Sequence, residues 1–168
     1  MGVIEYELLL DEERKPVLVK KNSEFSDEDE FLDSPSKIAQ MFMAGCNAEY
    51  LPEEHLWMLA LNVKCKPIGM FEVAHGTNRN CMTSPRELFV RACVSGCDCI
   101  VVVHNHPSGI CKPSEEDDLV TKRLVGAGEL LGIPVVDHVI IGENSYYSYA
   151  EQNEELLKPK QDRKEQKE

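Results

Sequence analysis

Hydrophobic and polar positions along the chain follow two periods, one typical of strands and one typical of helices. The strand-like segments are bounded by turn residues, and one of them, residues 99–103, is a continuous β-branched run that fits a strand covered on both faces. The strands are predicted over residues 3–10, 16–20, 55–62, 68–73, 99–103, 133–141 and 146–149.

Three helices are predicted between these strands. The first begins at Pro35, the second runs from Pro85 to about Ser95, and the third follows Ser114 and continues to Leu131. From residue 56 to 150 strands and helices alternate. This order predicts an α/β (α+β) fold, a three-layer domain with a mixed central β-sheet flanked by helices.

Acidic residues concentrate at the start of the chain. The formal charge is −12, and residues 1–36 hold 11 acidic and 4 basic side chains, against 13 and 9 in residues 37–150. We therefore divide the chain into an acidic N-terminal β-arm and linker over 1–35, a main domain over 36–150 that holds the alternating strands and helices, and a charged tail over 151–168. The tail has no apolar face and is predicted to be disordered.

The composition disfavours several classes of partner. No basic stripe is present that would neutralise a phosphate backbone, so binding to nucleic acid is disfavoured. Neither a membrane-spanning run nor a secretion signal is predicted, and the expected location is cytoplasmic. Seven cysteines at irregular spacings are expected to be reduced thiols. Cys97 and Cys99 are interpreted as buried thiols of a strand, although their spacing is also compatible with a metal pair.

Two histidines stand where the strand over 99–103 ends. His104 and His106 are two residues apart, so their side chains leave the same face of a strand and can meet at one point. Asp117 follows in the first turn of the third helix. A catalytic zinc ion needs three protein ligands and an open position, and we predict that His104, His106 and Asp117 bind Zn²⁺.

Two further residues are candidates for catalysis. A carboxylate beside the metal is the usual acceptor of the proton that the attacking water loses, and Glu72 on the strand over 68–73 is the predicted general base. Ser114 is predicted to donate its hydroxyl to the oxyanion of a tetrahedral intermediate. Glu72 is alternatively an outward-facing strand carboxylate.

The whole pattern, Glu followed by His-x-His-x7-Ser-x2-Asp, resembles the JAMM motif of the JAB/MPN metalloenzyme superfamily. The surrounding sequence resembles the RadC family over roughly residues 36–150. The motifs that carry this resemblance are Ser84-Pro-Arg-Glu87, His104-Asn-His-Pro-Ser-Gly109, Pro113-Ser114 through Asp117, Leu131-Gly-Ile-Pro134 and Asp137-His138.

The resemblance implies a JAB/MPN (cytidine-deaminase-like) architecture and places the family's functional residues on this chain. Zinc ligands fall on His104, His106 and Asp117, the general base on Glu72, and the serine that assists the oxyanion on Ser114. The superfamily includes isopeptidases that cleave ubiquitin-like tags. This sequence lacks the helix-hairpin-helix region that precedes the catalytic domain in full-length RadC proteins.

Simpler interpretations accompany several of these residues. Ser114 and the acidic residues after it also form an ordinary helix start, and Asp118 is a one-residue rival to Asp117 as ligand. His138 is interpreted either as structural or as a partner that orients a ligand. His55 and His75 are interpreted as ordinary core or surface residues.

The sequence therefore predicts a zinc-dependent hydrolase, a metallopeptidase or isopeptidase acting on a peptide or protein substrate. The alternatives are a DNA-repair or DNA-processing accessory protein with a metal site and a JAB/MPN scaffold without activity. A zinc nucleoside deaminase is disfavoured because the Cys-x-Cys precedes the histidines and no Glu lies beside them. The tripeptide His104-Asn-His is interpreted as a coincidental match to the HNH nucleases.

Overall fold

The structure, a computed structural model, describes residues 3–24, 32–76 and 84–158, with the backbone alone for 22–24. Some predictions lie outside these residues. They concern Cys81, the middle of the acidic linker and the end of the charged tail.

The described residues form one mixed sheet. Its strands are β1 (Ile4–Leu10), β2 (Pro16–Glu24), β3 (His55–Leu61), β4 (Pro67–His75), β5 (Cys99–Asn105), β6 (Val135–Gly142) and β7 (Ser145–Ser148). The order across the sheet is β2-β1-β4-β3-β5-β6-β7. Neighbouring strands are antiparallel except for the pairs β1/β4 and β5/β6, which are parallel.

The three predicted helices begin at the predicted residues, and a short fourth helix follows that was not predicted. They are α1 (Pro35–Cys46), α2 (Pro85–Ser95), α3 (Glu115–Leu131) and α4 (Tyr149–Gln152), with 3-10 turns at Ala48–Tyr50 and Glu154–Leu157. Ser84 precedes α2 and Ser114 caps α3, while glycines in the left-handed conformation, Gly96 and Gly132, follow both helices.

Helices cover both faces of the sheet. Along β5, Val101 and Val103 point toward α1 and pack in the same cluster as Phe42 of that helix. Ile100 and Val102 point the other way and pack in a cluster with residues of α2 and α3. These two cores confirm the predicted three-layer α/β domain with a mixed central sheet, and they leave the carboxyl end of β5 between α1 and α3.

The N-terminal arm is part of this sheet. Strands β1 and β2 form the predicted hairpin, and β1 also pairs with β4 in parallel, with Glu5 opposite Met70. Val3 and Met70 are buried in the same cluster as α1. The arm therefore extends the central sheet by two strands.

The start of the charged tail differs from the prediction of disorder. Residues 151–157 continue α4 and form the 3-10 turn Glu154–Leu157. Leu157 packs against the core cluster that α2 and α3 share, and this contact holds the segment against the domain.

Two glycines of α3 differ in how closely neighbouring atoms approach them. A Cβ atom at Gly128 would lie 2.5 Å from the carbonyl oxygen of Ile133, whereas a Cβ at Gly126 would meet nothing within 4 Å. We expect Gly128→Ala to lower the free energy of unfolding by about 1–3 kcal/mol. Gly126→Ala should raise it by up to about 1 kcal/mol, because alanine is the better helix former.

Denaturant unfolding of the two variants beside the wild type measures both effects. Stabilisation by both substitutions would show that the chain after α3 is not packed against Gly128 as described.

Candidate metal centre

The candidate ligands lie where β5 ends and α3 begins. The loop between them packs on the end of β6, where a Cβ atom at Gly142 would lie 2.4 Å from the carbonyl oxygen of Gly109. The chain then enters α3 at its N-cap, Ser114, and places Asp117 in the first turn. The loop thus returns Asp117 to the strand end that carries His104.

The three side chains meet at one point. His104 Nε2 lies 3.0 Å from His106 Nε2 and 3.1 Å from Asp117 Oδ1, and His106 Nε2 lies 3.3 Å from Asp117 Oδ2. His104 is buried, and the other two side chains are mostly buried. We call this group the His104–His106–Asp117 triad.

The triad fits the predicted zinc ion. In a tetrahedral zinc site with bonds of about 2.0–2.2 Å, ligand atoms lie about 3.3–3.5 Å apart, close to the separations in the triad. Each of the three residues offers one ligand atom within 4.8 Å of the others. The triad is therefore a candidate metal-binding group with room for an ion after a small outward shift.

The outer nitrogen of His106 is held by the loop. Its Nδ1 lies 2.7 Å from the carbonyl oxygen of Ile110, which can only accept, so Nδ1 carries a proton and donates. Nε2 is then the atom of the neutral ring with a free electron pair, and it faces the triad. Hydrogen bonding thus prepares His106 as a ligand.

His104 is oriented by a buried chain of hydrogen bonds. Its Nδ1 lies 2.8 Å from Nε2 of His138, whose Nδ1 lies 2.6 Å from Thr121 Oγ1. Thr121 in turn donates to the main-chain carbonyl of Asp117 at 2.6 Å. With His104 Nδ1 and His138 Nδ1 as donors, every group in the chain is satisfied and the electron pair of His104 Nε2 points into the triad.

His138 is neutral in this arrangement. Burial lowers its pKa well below the usual value for histidine, and a proton on the neighbouring His104 would lower it further. Its backbone N–H also donates to Asp137 Oδ1 at 2.7 Å. Of the two interpretations of His138, the geometry therefore favours the one in which it orients a ligand.

Burial and hydrogen bonds together set the charges of the triad. Burial raises the pKa of Asp117, but hydrogen bonds from both histidines, when a proton takes the place of a metal ion on Nε2, outweigh it and hold this pKa well below its usual range. Burial lowers the pKa of His106, but its hydrogen bonds to Asp117 and to the Ile110 carbonyl raise it above the usual value overall. Asp117 is therefore a carboxylate, and a proton competes with a metal ion for His106.

Ser114 lies beside the triad and contacts one of its ligands. Its Oγ donates to Asp117 Oδ2 at 2.7 Å and accepts from the Asp117 backbone N–H at 3.1 Å. The Ser114 backbone N–H also donates to Asp117 Oδ2 at 2.7 Å, which completes a capping box. The hydroxyl thus fixes Asp117 in this structure, so a role at an oxyanion requires it to turn away from that carboxylate.

Glu72 does not join the triad, contrary to its predicted role as the base beside the metal. In the sheet Glu72 lies opposite Trp57, and Trp57 opposite Val103, so all three face α1. His104 is the next residue of β5 and faces α2 and α3. Glu72 Oε1 instead accepts from His55 Nδ1 at 2.6 Å. The sheet separates Glu72 from the triad.

A different carboxylate, Glu54, lies on the correct side. Leu56 of β3 is opposite His104 of β5, so continuing this antiparallel register by two residues places Glu54 opposite His106. Glu54 is close enough that its charge contributes to the raised pKa of His106. Glu54 was not among the residues predicted from the sequence, where its position directly before the first residue of β3 is the one feature that indicates it.

Asn105 locks the segment that carries Glu54 to the strand that carries the ligands. Its side-chain Oδ1 accepts from the His55 backbone N–H at 2.7 Å, and its Nδ2 donates to the carbonyl oxygen of Glu53 at 3.0 Å. Asn105 itself stands between His104 and His106. The residues on both sides of Glu54 are therefore tied to the metal-ligand motif.

Two alternatives from the sequence are also resolved by contacts. Asp118, the rival to Asp117, accepts a hydrogen bond from Tyr149 Oη at 2.7 Å and is not among the three converging residues. Cys97 and Cys99 are buried in the core, and burial raises the pKa of Cys99 to about 11. They are buried thiols, and the six described cysteines are free.

Comparison with known protein families finds a family model that matches most of the chain. Residues 32–155 match the family described as "RadC-like JAB domain". The match includes α1, the β3–β7 part of the sheet and every residue of the triad. It begins after the N-terminal arm.

Curated relatives agree with this match. A UPF0758 protein of Alkaliphilus metalliredigens is 42% identical over 122 residues, which cover 73% of this chain and 52% of the relative. UPF0758 proteins of Desulfitobacterium hafniense and Thermotoga maritima are 40% and 41% identical over 120 and 105 residues. The chain spans about half the length of the curated relatives it matches.

Within the described residues, none of the helices has the length and apolar character needed to cross a bilayer.

Proposed function

Because the chain belongs to the RadC-like JAB domain family, we propose that it is a zinc-dependent hydrolase that cleaves amide bonds in peptides or proteins. The observation that carries this proposal is the triad, in which two imidazole nitrogens and a carboxylate converge within 3.3 Å of one another. Two histidines and one carboxylate form the protein ligand set of known catalytic zinc sites.

Zinc is the ion we assign to the triad. When bound, it lowers the pKa of a coordinated water and polarises a carbonyl group, which is the chemistry that amide hydrolysis needs at neutral pH. His104 Nε2, His106 Nε2 and an oxygen of Asp117 would hold it. Their outer atoms are already occupied by Ile110, His138 and Ser114, which keeps the ligands in place.

Glu54 is the residue we assign as general base. It faces the triad across from His106, and its carboxylate would take the proton of the attacking water and pass it to the leaving amine. This assignment replaces Glu72, which lies on the face toward α1. Ser114 would donate a hydrogen bond from its hydroxyl to the developing oxyanion once its hydrogen bond to Asp117 Oδ2 is broken.

The charge distribution supports a peptide or protein substrate. The residues from 37 to 150 carry 13 acidic and 9 basic side chains, so a phosphate backbone would be weakly attracted. The free thiols of the described cysteines suit a reducing compartment, and we place the reaction in the cytoplasm.

Hydrolysis of peptide and isopeptide libraries by the zinc-loaded protein tests this function. We expect cleavage products that appear with zinc and disappear when a chelator removes it. Asp117→Asn should abolish cleavage, while Glu116→Gln, a change at the exposed preceding position, should retain it. Equal cleavage by wild type and Asp117→Asn, or no cleavage of any amide by protein with a filled triad, would contradict the proposal.

A further inference from the structure

We propose that Glu53, His55 and His75 form a second binding site for a divalent transition metal of the zinc class, separate from the triad. Each of the three residues offers one ligand atom within 4.8 Å of the others. The group lies where β3 begins and β4 ends. We call it the Glu53–His55–His75 cluster.

The sheet itself brings the two histidines together. His55 and His75 are directly opposite each other in the antiparallel pair β3/β4, and their rings stack with centroids 4.1 Å apart. Glu53 completes the group, since its Oε2 pairs with Nε2 of His75. Two imidazoles and one carboxylate are ligands that zinc prefers.

Glu72 gives the cluster the support expected behind a metal ligand. Its Oε1 lies 2.6 Å from His55 Nδ1, and a carboxylate there keeps the proton on Nδ1. The electron pair of the neutral His55 ring is therefore on Nε2. A carboxylate behind a histidine in this way fixes the ring and strengthens it as a ligand. Glu72 therefore contributes to this cluster, whereas it has no part in the triad.

The cluster is open to an ion from solution. The side chains of His75 and Glu53 are 52% and 49% exposed, whereas that of His55 is 14% exposed. One ligand is therefore anchored in the fold and two can adjust around an incoming ion. Such a site keeps coordination positions for water, because the cluster supplies three protein ligands.

Filling the cluster would affect the segment that carries Glu54. Glu53 and His55 stand on either side of Glu54 and are both bound by the side chain of Asn105. An ion that ligates Glu53 and His55 would hold this segment from a second direction.

Trp57 provides a signal that separates the cluster from the triad. It is the single tryptophan of the sequence, and its ring stacks on His55 with centroids 5.5 Å apart. It faces α1, while the triad histidine His104 faces α2 and α3. A positive ion on His55 should therefore change the fluorescence of Trp57.

The experiment is a titration of the metal-free full chain with zinc, following Trp57 fluorescence and bound zinc together. We expect two equivalents of zinc in the wild type and a fluorescence change that accompanies one of them. Asp117→Asn should lose the other equivalent and keep the fluorescence change. His75→Ala and, as a second variant at an exposed ligand, Glu53→Gln should keep the triad equivalent and lose the fluorescence change.

One equivalent in the wild type, without a change in Trp57 fluorescence, would overturn the proposal. So would a fluorescence change that survives in both His75→Ala and Glu53→Gln. Failure of the triad gives a different result, because Asp117→Asn would then leave the bound zinc unchanged. Circular dichroism of each variant establishes that the sheet is intact.

Discussion

Replacing Glu54 with glutamine is expected to lower the rate of zinc-dependent amide hydrolysis by about 10²- to 10⁴-fold, the usual contribution of a general base. Glutamine preserves the size of the side chain and its ability to hydrogen-bond, but it cannot accept the proton of the attacking water. The triad is unchanged in this variant, so bound zinc should remain. The measurement is kcat together with zinc content.

Glu72→Gln is the matched comparison for this prediction. Glu72 was the base predicted from sequence, but its carboxylate lies on the face toward α1 and binds His55. We expect a much smaller fall in kcat than for Glu54→Gln. A large loss with Glu72→Gln beside a normal rate for Glu54→Gln would reverse the two assignments.

His106→Ala is expected to remove zinc from the triad and hydrolysis with it. The change deletes one of the three ligand atoms, His106 Nε2, which lies 3.0 Å from His104 Nε2 and 3.3 Å from Asp117 Oδ2. Removing even a residue that hydrogen-bonds to a metal ligand lowers metal affinity by about 10- to 100-fold, so removing a ligand itself should lower it by more than this. Competition with a chromophoric chelator measures the affinity.

Glu116→Gln is again the control, because it alters a carboxylate in the first turn of α3 at an exposed position. Its zinc affinity should match the wild type. If His106→Ala binds zinc at the triad as tightly as this control does, His106 is not a ligand.

Most of the fold follows from local patterns in the sequence. The continuous run of β5 predicts a strand buried on both faces, and the residues before and after α2 and α3 predict where these helices begin and end. Leu157 shows the limit of such patterns. The mostly charged sequence around this leucine does not predict order, and its packing against the core depends on contacts with distant helices.

The triad was predictable because its members are close in sequence. The two-residue repeat of a strand puts His104 and His106 on one face, and the short loop to α3 brings Asp117 back to them. Glu54 was not predictable in the same way. Its place opposite His106 depends on the pairing of β3 with β5, which are separated in the sequence by β4 and α2.

The same limit applies to His55 and His75, which were interpreted as ordinary residues. The register of β3 against β4 puts them opposite each other, and an irregularity in that ladder between Leu56 and Trp57 sets the register at this end. A single shifted residue would move one histidine to the other face. The cluster therefore became visible only in three dimensions.

Anomalous X-ray diffraction at the zinc edge, from crystals of the zinc-loaded protein, determines whether His104, His106 and Asp117 hold a zinc ion. We expect an anomalous peak about 2.0–2.2 Å from His104 Nε2, His106 Nε2 and a carboxylate oxygen of Asp117. Zinc-loaded crystals in which the triad is ordered but has no anomalous peak between its side chains would contradict this ligand assignment.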